Sequence, residues 1–155
     1  MRRIDMNETE KQANHQTLLV IWGALLGSQV IFIVLAYVIA GSELFPPDLS
    51  KPLLGKNIWV VAAAAVFAAG ALSYAFYSRT ITLQRSVGEQ SIALVQQALI
   101  TGVALAESLS LCGLFLAIAF RYQYFFIWMI VGIIATLLQF PRRRDIDNAT
   151  FRTSQ

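Results

Sequence analysis

Four long apolar stretches constrain the fold of this chain more than any other feature of its sequence. They cover residues 18–40, 58–78, 91–120 and 122–140, and Glu107 is the only Asp, Glu, Lys or Arg within them. A helix needs about 20 apolar residues to cross the hydrocarbon core of a bilayer. Each stretch reaches or approaches that length. Residues 17–141 are therefore predicted to form an all-α, polytopic domain of four transmembrane helices.

Composition argues against a soluble protein with four buried helices. The chain is 57% hydrophobic and only 14% charged, and its charges cluster between the apolar stretches. Helices of this kind would leave almost no polar face for water. The formal net charge of +3 arises mainly from Arg142, Arg143 and Arg144, which follow the last stretch, where a cytoplasmic anchor is expected. We therefore expect a lipid bilayer around the chain and no nucleic-acid partner.

The distribution of basic residues predicts the orientation of the four helices. With four spans, the polar N-terminal segment (1–16), the loop 79–90 and the basic C-terminal tail (142–155) lie on one side of the membrane. These segments contain nine Lys and Arg residues, whereas the other side contains only Lys51, Lys56 and Arg121. Because basic loops stay inside, both termini are predicted to be cytoplasmic. A multi-pass protein of a bacterial inner membrane fits this pattern.

The connecting segments are predicted from their polar and proline residues. Residues 1–16 have no apolar face and are expected to be weakly ordered. The loop 41–56 contains three of the four prolines and is expected to be an ordered turn. A short polar turn near residues 86–88 would join two antiparallel helices. The tail 142–155 is basic and polar, and its part from Asp145 to Gln155 is expected to be mobile. A cleaved signal peptide is the alternative for residues 18–40, but this run is longer than a usual signal core.

Two stripes of small residues predict where helices pack closely. In a bilayer, small side chains let neighbouring backbones approach one another. We expect the second and third helices to be antiparallel neighbours whose two stripes touch. The helix-packing positions are Ala64, Ala68, Ala71 and Ala75 in the second helix and Gly102, Ala106, Ser110, Gly113 and Ala117 in the third.

Glu107 is the candidate functional residue, because ionisable groups inside a membrane are costly and often functional. Desolvation disfavours a charged carboxyl, so the side chain is expected to be neutral in the bilayer. Judged by depth, its hydrogen-bond partners are expected among Ser28, Gln29 and Ser110. Glu107 then either bonds neighbouring helices together or binds and releases a proton or another ion. Both roles stay open at this point.

Other chemistry has no support in the sequence. The chain contains no glycine-rich phosphate loop, catalytic triad or paired carboxylates, and His15 and Cys112 each stand alone. We therefore expect no catalytic residue, no metal site, no cofactor and no enzymatic activity. A membrane enzyme or solute transporter is a further alternative. The absence of proline within the four stretches argues against the broken helices that are typical of transporters.

The region from Ala62 to Phe120 resembles the helical hairpin of the proteolipid, or c, subunits of rotary ATPases. It contains an alanine-rich helix, a polar loop with two arginines, and the segment ALAESLSLCGLFLAIAF, in which Gly113-Leu114 follows Glu107. The resemblance implies that Glu107 exchanges a proton and that hairpins pack side by side in an oligomer. The whole chain also resembles small four-helix bacterial membrane proteins without an assigned activity. We expect a non-enzymatic packing or assembly partner in a membrane complex; the alternative is a proteolipid-like subunit that handles protons or ions.

Overall fold

The computed structural model describes residues 8–40, 52 and 58–150. Over these residues the chain forms five α-helices and no strand, so the predicted all-α fold is confirmed. Three of the helices are long and apolar enough to cross a membrane. The last two meet at an angle of 44° and make a fourth candidate span if they are counted together. The helices are α1 (Glu8–Ala40), α2 (Ile58–Glu89), α3 (Ile92–Phe120), α4 (Phe125–Leu138) and α5 (Arg143–Thr150).

The first two helices are longer than the apolar stretches predicted. α1 begins at Glu8 rather than at residue 18, and α2 continues to Glu89 rather than ending at residue 78. Each is about 50 Å long at 1.5 Å per residue, which exceeds the ~30 Å hydrocarbon core. The extra turns have packing partners, because Leu83 lies against a cluster that contains Leu18 and Val95. This packing stabilises the added turns of α2.

The turn predicted near residues 86–88 lies further along the chain. These residues are still helical, and the chain reverses at Gln90, whose φ of 49° is left-handed. The backbone N–H of Ser91 donates to the carbonyl of Ser86 at 3.1 Å. One such residue suffices to end a helix and start the next one. The connection between α2 and α3 is therefore tighter than the sequence suggested.

The fourth helix is shorter than the predicted span of residues 122–140. Its 14 residues cover only about 21 Å. It starts late because Arg121 takes a left-handed conformation (φ 46°), and the N–H of Tyr122 donates to the carbonyl of Leu116 at 3.0 Å. It ends early because the backbone N–H of Gln139 donates to the carbonyl oxygen of Thr136 at 3.1 Å, which tightens the last turn.

The prediction of a mobile tail from Asp145 onward is wrong for residues 145–150, because residues 143–150 form α5. Ile146 and Ala149 are fully buried in a cluster with Leu18 and Val103. They are three residues apart, so they lie on one face of the helix. Residues 1–7, 41–51, 53–57 and 151–155 lie outside the described residues. The loop prediction for 41–56 therefore lies outside them as well, except at Pro52.

α3 is the central helix of the bundle, since it packs against α1, α2, α4 and α5. Along α2, Ala64 shares a cluster with Leu116, whereas Ala68 and Ala71 share one with Leu109. Residue numbers therefore rise along α2 as they fall along α3. The two helices are antiparallel neighbours, as predicted.

Candidate functional site

Glycines bring α3 and α4 into close contact. A Cβ atom added at Gly113 would lie 2.8 Å from the carbonyl oxygen of Phe125, and one added at Gly132 would lie 2.9 Å from that of Ala106. These distances leave no room for a side chain between the two backbones. The small-residue stripe of α3 is therefore where α4 docks.

This contact with α4 was not expected from the sequence, which placed the α3 stripe against that of α2; Ala64 and Ala117 of those two stripes lie in one buried cluster. The alanines of α2 do pack toward α3, but Ala68 and Ala71 meet Leu109, which lies about 100° around the helix from Ser110. The α3 stripe faces α4 at Gly102, Ser110 and Gly113. The positions predicted to pack are all buried: Ala64, Ala68, Ala71, Ala75, Gly102, Ala106, Ser110, Gly113 and Ala117.

A buried hydrogen-bond network joins α1, α3 and α4 at the level of this contact. Gln29 of α1 is fully buried; its Nε2 donates to Thr136 Oγ1 of α4 at 2.6 Å. Its Oε1 accepts a bond from Ser110 Oγ of α3 at 3.2 Å. Trp22 Nε1 of α1 donates to the carbonyl oxygen of Thr136 at 2.9 Å. One amide side chain therefore bridges three helices.

A second buried amide joins α3 to the end of α4. Gln139 Nε2 donates to the carbonyl oxygen of Gly102 at 3.0 Å. The amide group occupies the space that a side chain at position 102 would fill. Gln139 Oε1 is buried and has no hydrogen-bond partner. Glycine at 102 is thus required for this amide to reach the backbone of α3.

Glu107 is bonded to α1 at the edge of the network. Ser28 Oγ donates to Glu107 Oε1 at 2.5 Å, and the same hydroxyl lies 2.7 Å from the carbonyl oxygen of Leu25. Of the three candidate partners, the structure brings only Ser28 to the carboxyl, while Gln29 and Ser110 bond to each other. Glu107 is half-buried, whereas Gln29 and Ser110 are fully enclosed. The carboxyl therefore borders an open surface of the bundle.

An arginine also holds the C-terminal end of α4 in place. Arg79 of α2 forms an ion pair with Asp145 of α5 at 3.5 Å. Its guanidinium also donates to the carbonyl oxygens of Leu138 and Phe140, each at 3.4 Å. A cation at a helix C-terminus satisfies carbonyls that have no partner within the helix. The sequence had suggested only that Arg79 is a basic loop residue.

The network residues of α4 were missed at the sequence level. Thr136 and Gln139 are three residues apart, which places them on one face of a helix, and Gly132 lies one turn before Thr136. This spacing was a signal that the fourth apolar stretch carries a polar, tightly packed face. The sequence draws attention to Glu107 instead, because none of these three residues is ionisable.

The described residues contain no group of three or more His, Cys, Asp or Glu side chains that could hold a metal ion. His15 Nε2 lies 3.3 Å from the carbonyl oxygen of Pro141, and Cys112 is a half-buried free thiol. Comparisons with family models, with curated proteins and with solved structures found no match to this chain.

Proposed function

We propose that the chain is a four-span membrane protein with cytoplasmic termini that serves as a non-enzymatic packing or assembly partner in a membrane complex. The observation that supports this proposal is how the polar side chains within the apolar helices are hydrogen-bonded. Gln29, Ser110 and Thr136 bond to one another across helix contacts rather than lining a chamber. A cavity lined by Arg79 and Asp145 measures about 10 Å³, room for about one water molecule.

In this proposal the carboxyl of Glu107 joins α3 to α1 through its hydrogen bond with Ser28. Interhelical bonds of this kind contribute about 1 kcal/mol in a membrane.

The substitution Glu107→Gln tests this role, because glutamine keeps the shape and the hydrogen bonding but cannot release a proton. We expect the variant to insert and to unfold in detergent within about 0.5 kcal/mol of the wild type, and Glu107→Leu to lose about 1 kcal/mol. If Glu107→Gln is as unstable as Glu107→Leu, glutamine does not replace the bond and the structural role is contradicted.

The alternative, a proteolipid-like subunit that handles protons or ions, is favoured by one observation. Glu107 is only half-buried, so its carboxyl borders a surface from which a proton could be exchanged. A pH-sensitive dye inside vesicles that contain the purified protein separates the two functions. Proton flux that the wild type supports and well-folded Glu107→Gln abolishes would establish the alternative.

The orientation is tested by cysteine accessibility in a Cys112→Ala background. Single cysteines replace Arg2, Arg152, Asp48 and Lys51 in turn. A reagent that does not cross the membrane should label positions 48 and 51 from outside the cell and leave positions 2 and 152 untouched. The opposite pattern would overturn the proposed topology.

A further inference from the structure

One face of α3 is left uncovered by the other helices that the structure describes. α4 covers the side that carries Ala106, Ser110 and Gly113. On the opposite side, four exposed residues follow one another at intervals of 4, 7 and 4 residues, which places them in one row along the helix. The surface along this row is called the outer groove, and its floor consists of Ile100, Ala104, Leu111 and Phe115.

α1 and α2 form the two sides of the outer groove. Glu107, which is bonded to Ser28 of α1, lies about 60° from Ala104 in one direction around the helix. Leu105, which packs against the cluster of Ala68, Ala71 and Leu109, lies about 100° from Ala104 in the other direction. The floor therefore lies between the α1 contact and the α2 contact.

The middle of the outer groove combines small residues with a carboxyl. Ala24 is exposed on α1, one turn before Ser28, and Ala104 is exposed on α3, one turn before Glu107. Small side chains on both sides allow another helix backbone to come close. The carboxyl of Glu107 borders this site and is half-buried.

We infer that the outer groove receives a transmembrane helix of another protein that carries a lysine or arginine at the depth of Glu107. This inference rests on the proposed role as an assembly partner and names the docking surface and the class of partner. Charge complementarity favours such a helix, because ionisable groups inside membranes pair with one another. A second copy of this chain brings no cation to that depth, since its four apolar stretches contain no Lys, Arg or His.

Synthetic peptides test the inference on the full-length protein in phosphatidylcholine vesicles. The probe is a helix of about 20 leucine and alanine residues with one lysine at its centre, and the matched peptide has leucine there. Binding is measured by energy transfer from a label at the N-terminus of the protein to a label on the peptide. We expect the lysine peptide to bind the wild type about tenfold more tightly, and Glu107→Gln to abolish that preference.

Two leucine substitutions show where the peptide binds. Ala104→Leu fills the floor of the outer groove and is expected to weaken binding of the lysine peptide, although Glu107 is intact. Gly23→Leu is the control, because Gly23 has open space around it and lies about 140° around α1 from Ser28. Gly23→Leu is expected to bind the lysine peptide as the wild type does.

Three results would overturn the inference: equal binding of the two peptides, binding of neither, or energy transfer between two copies of this chain that Ala104→Leu abolishes. The proposed function fails separately, in the cysteine labelling and in the unfolding of Glu107→Gln. If those two experiments give the expected results and the peptides do not bind, only the inference about the groove is refuted.

Discussion

Replacing Gly132 by alanine should weaken the contact between α3 and α4 by an amount that can be worked out from the structure. The new Cβ would meet Ser110 Oγ first, and it would lie 2.9 Å from the carbonyl oxygen of Ala106 and 3.2 Å from the backbone nitrogen of Ser110. The distance to the carbonyl oxygen is about 0.5 Å short of van der Waals contact. The hydroxyl of Ser110 can turn away, but the other two neighbours are backbone atoms in the middle of a helix, so α4 as a whole has to move outward.

A matched substitution isolates the packing cost. Gly70 is also inside a helix, but a Cβ there would meet nothing within 4 Å. Alanine is favoured over glycine in a helix by about 1 kcal/mol, and this gain applies to both positions. Overpacking costs about 1–3 kcal/mol and applies only at Gly132. We therefore expect Gly132→Ala to be about 1–3 kcal/mol less stable than Gly70→Ala.

The measurement is reversible unfolding in mixed detergent micelles, followed by circular dichroism and by tryptophan fluorescence. Gly113→Ala should behave like Gly132→Ala, because its Cβ would lie 2.8 Å from the backbone of α4. If Gly132→Ala is as stable as Gly70→Ala, the backbones of α3 and α4 are not in close contact and the reasoning fails.

Two further predictions concern the end of the bundle that carries α5. Arg79→Met should lower the free energy of unfolding by about 1–3 kcal/mol, because Arg79 and Asp145 are largely buried and the guanidinium also caps α4. Arg143→Met is the control; its pair with Glu8 is exposed, so the change should stay below about 1 kcal/mol in the same unfolding assay. Ile146→Ala should undock α5, since deleting a buried aliphatic side chain costs about 2–5 kcal/mol, and trypsin should then cut faster after Arg143 and Arg144. Unchanged proteolysis would contradict the docking of α5, and Ile134→Ala, at a half-exposed position of α4, serves as the control.

The positions of the long helices could be predicted from the sequence because the bilayer imposes a length on apolar segments. Where a helix leaves the apolar region, this constraint stops acting. The ends of α1 and α2 depend instead on packing between residues far apart in sequence, such as Leu18 and Leu83. No local pattern shows these contacts, so the helix ends were misplaced by about ten residues.

The candidate site was predictable only in part. A stripe of small residues shows that another backbone comes close, but it does not show which helix supplies that backbone. The identity of that helix depends on Gly132, because the absence of a side chain there lets α4 come close to α3. Glu107 stood out because it is ionisable, and Ser28 was among its expected partners. Gln29 and Ser110 were assigned to the carboxyl by depth, yet the structure pairs them with each other.

α2 is held in the bundle by a different kind of contact from the one that joins α1, α3 and α4. α1, α3 and α4 are joined by side-chain hydrogen bonds whose loss would leave polar groups unpaired in an apolar interior, which is costly. A slip of one turn between these helices would break the bonds of Gln29 and Thr136 together, so the network fixes their register. α2 meets α3 through alanine and leucine side chains, which tolerate sliding better. Its register is fixed instead at one end by Arg79, and this is why Arg79 is expected to matter more than other basic residues near it.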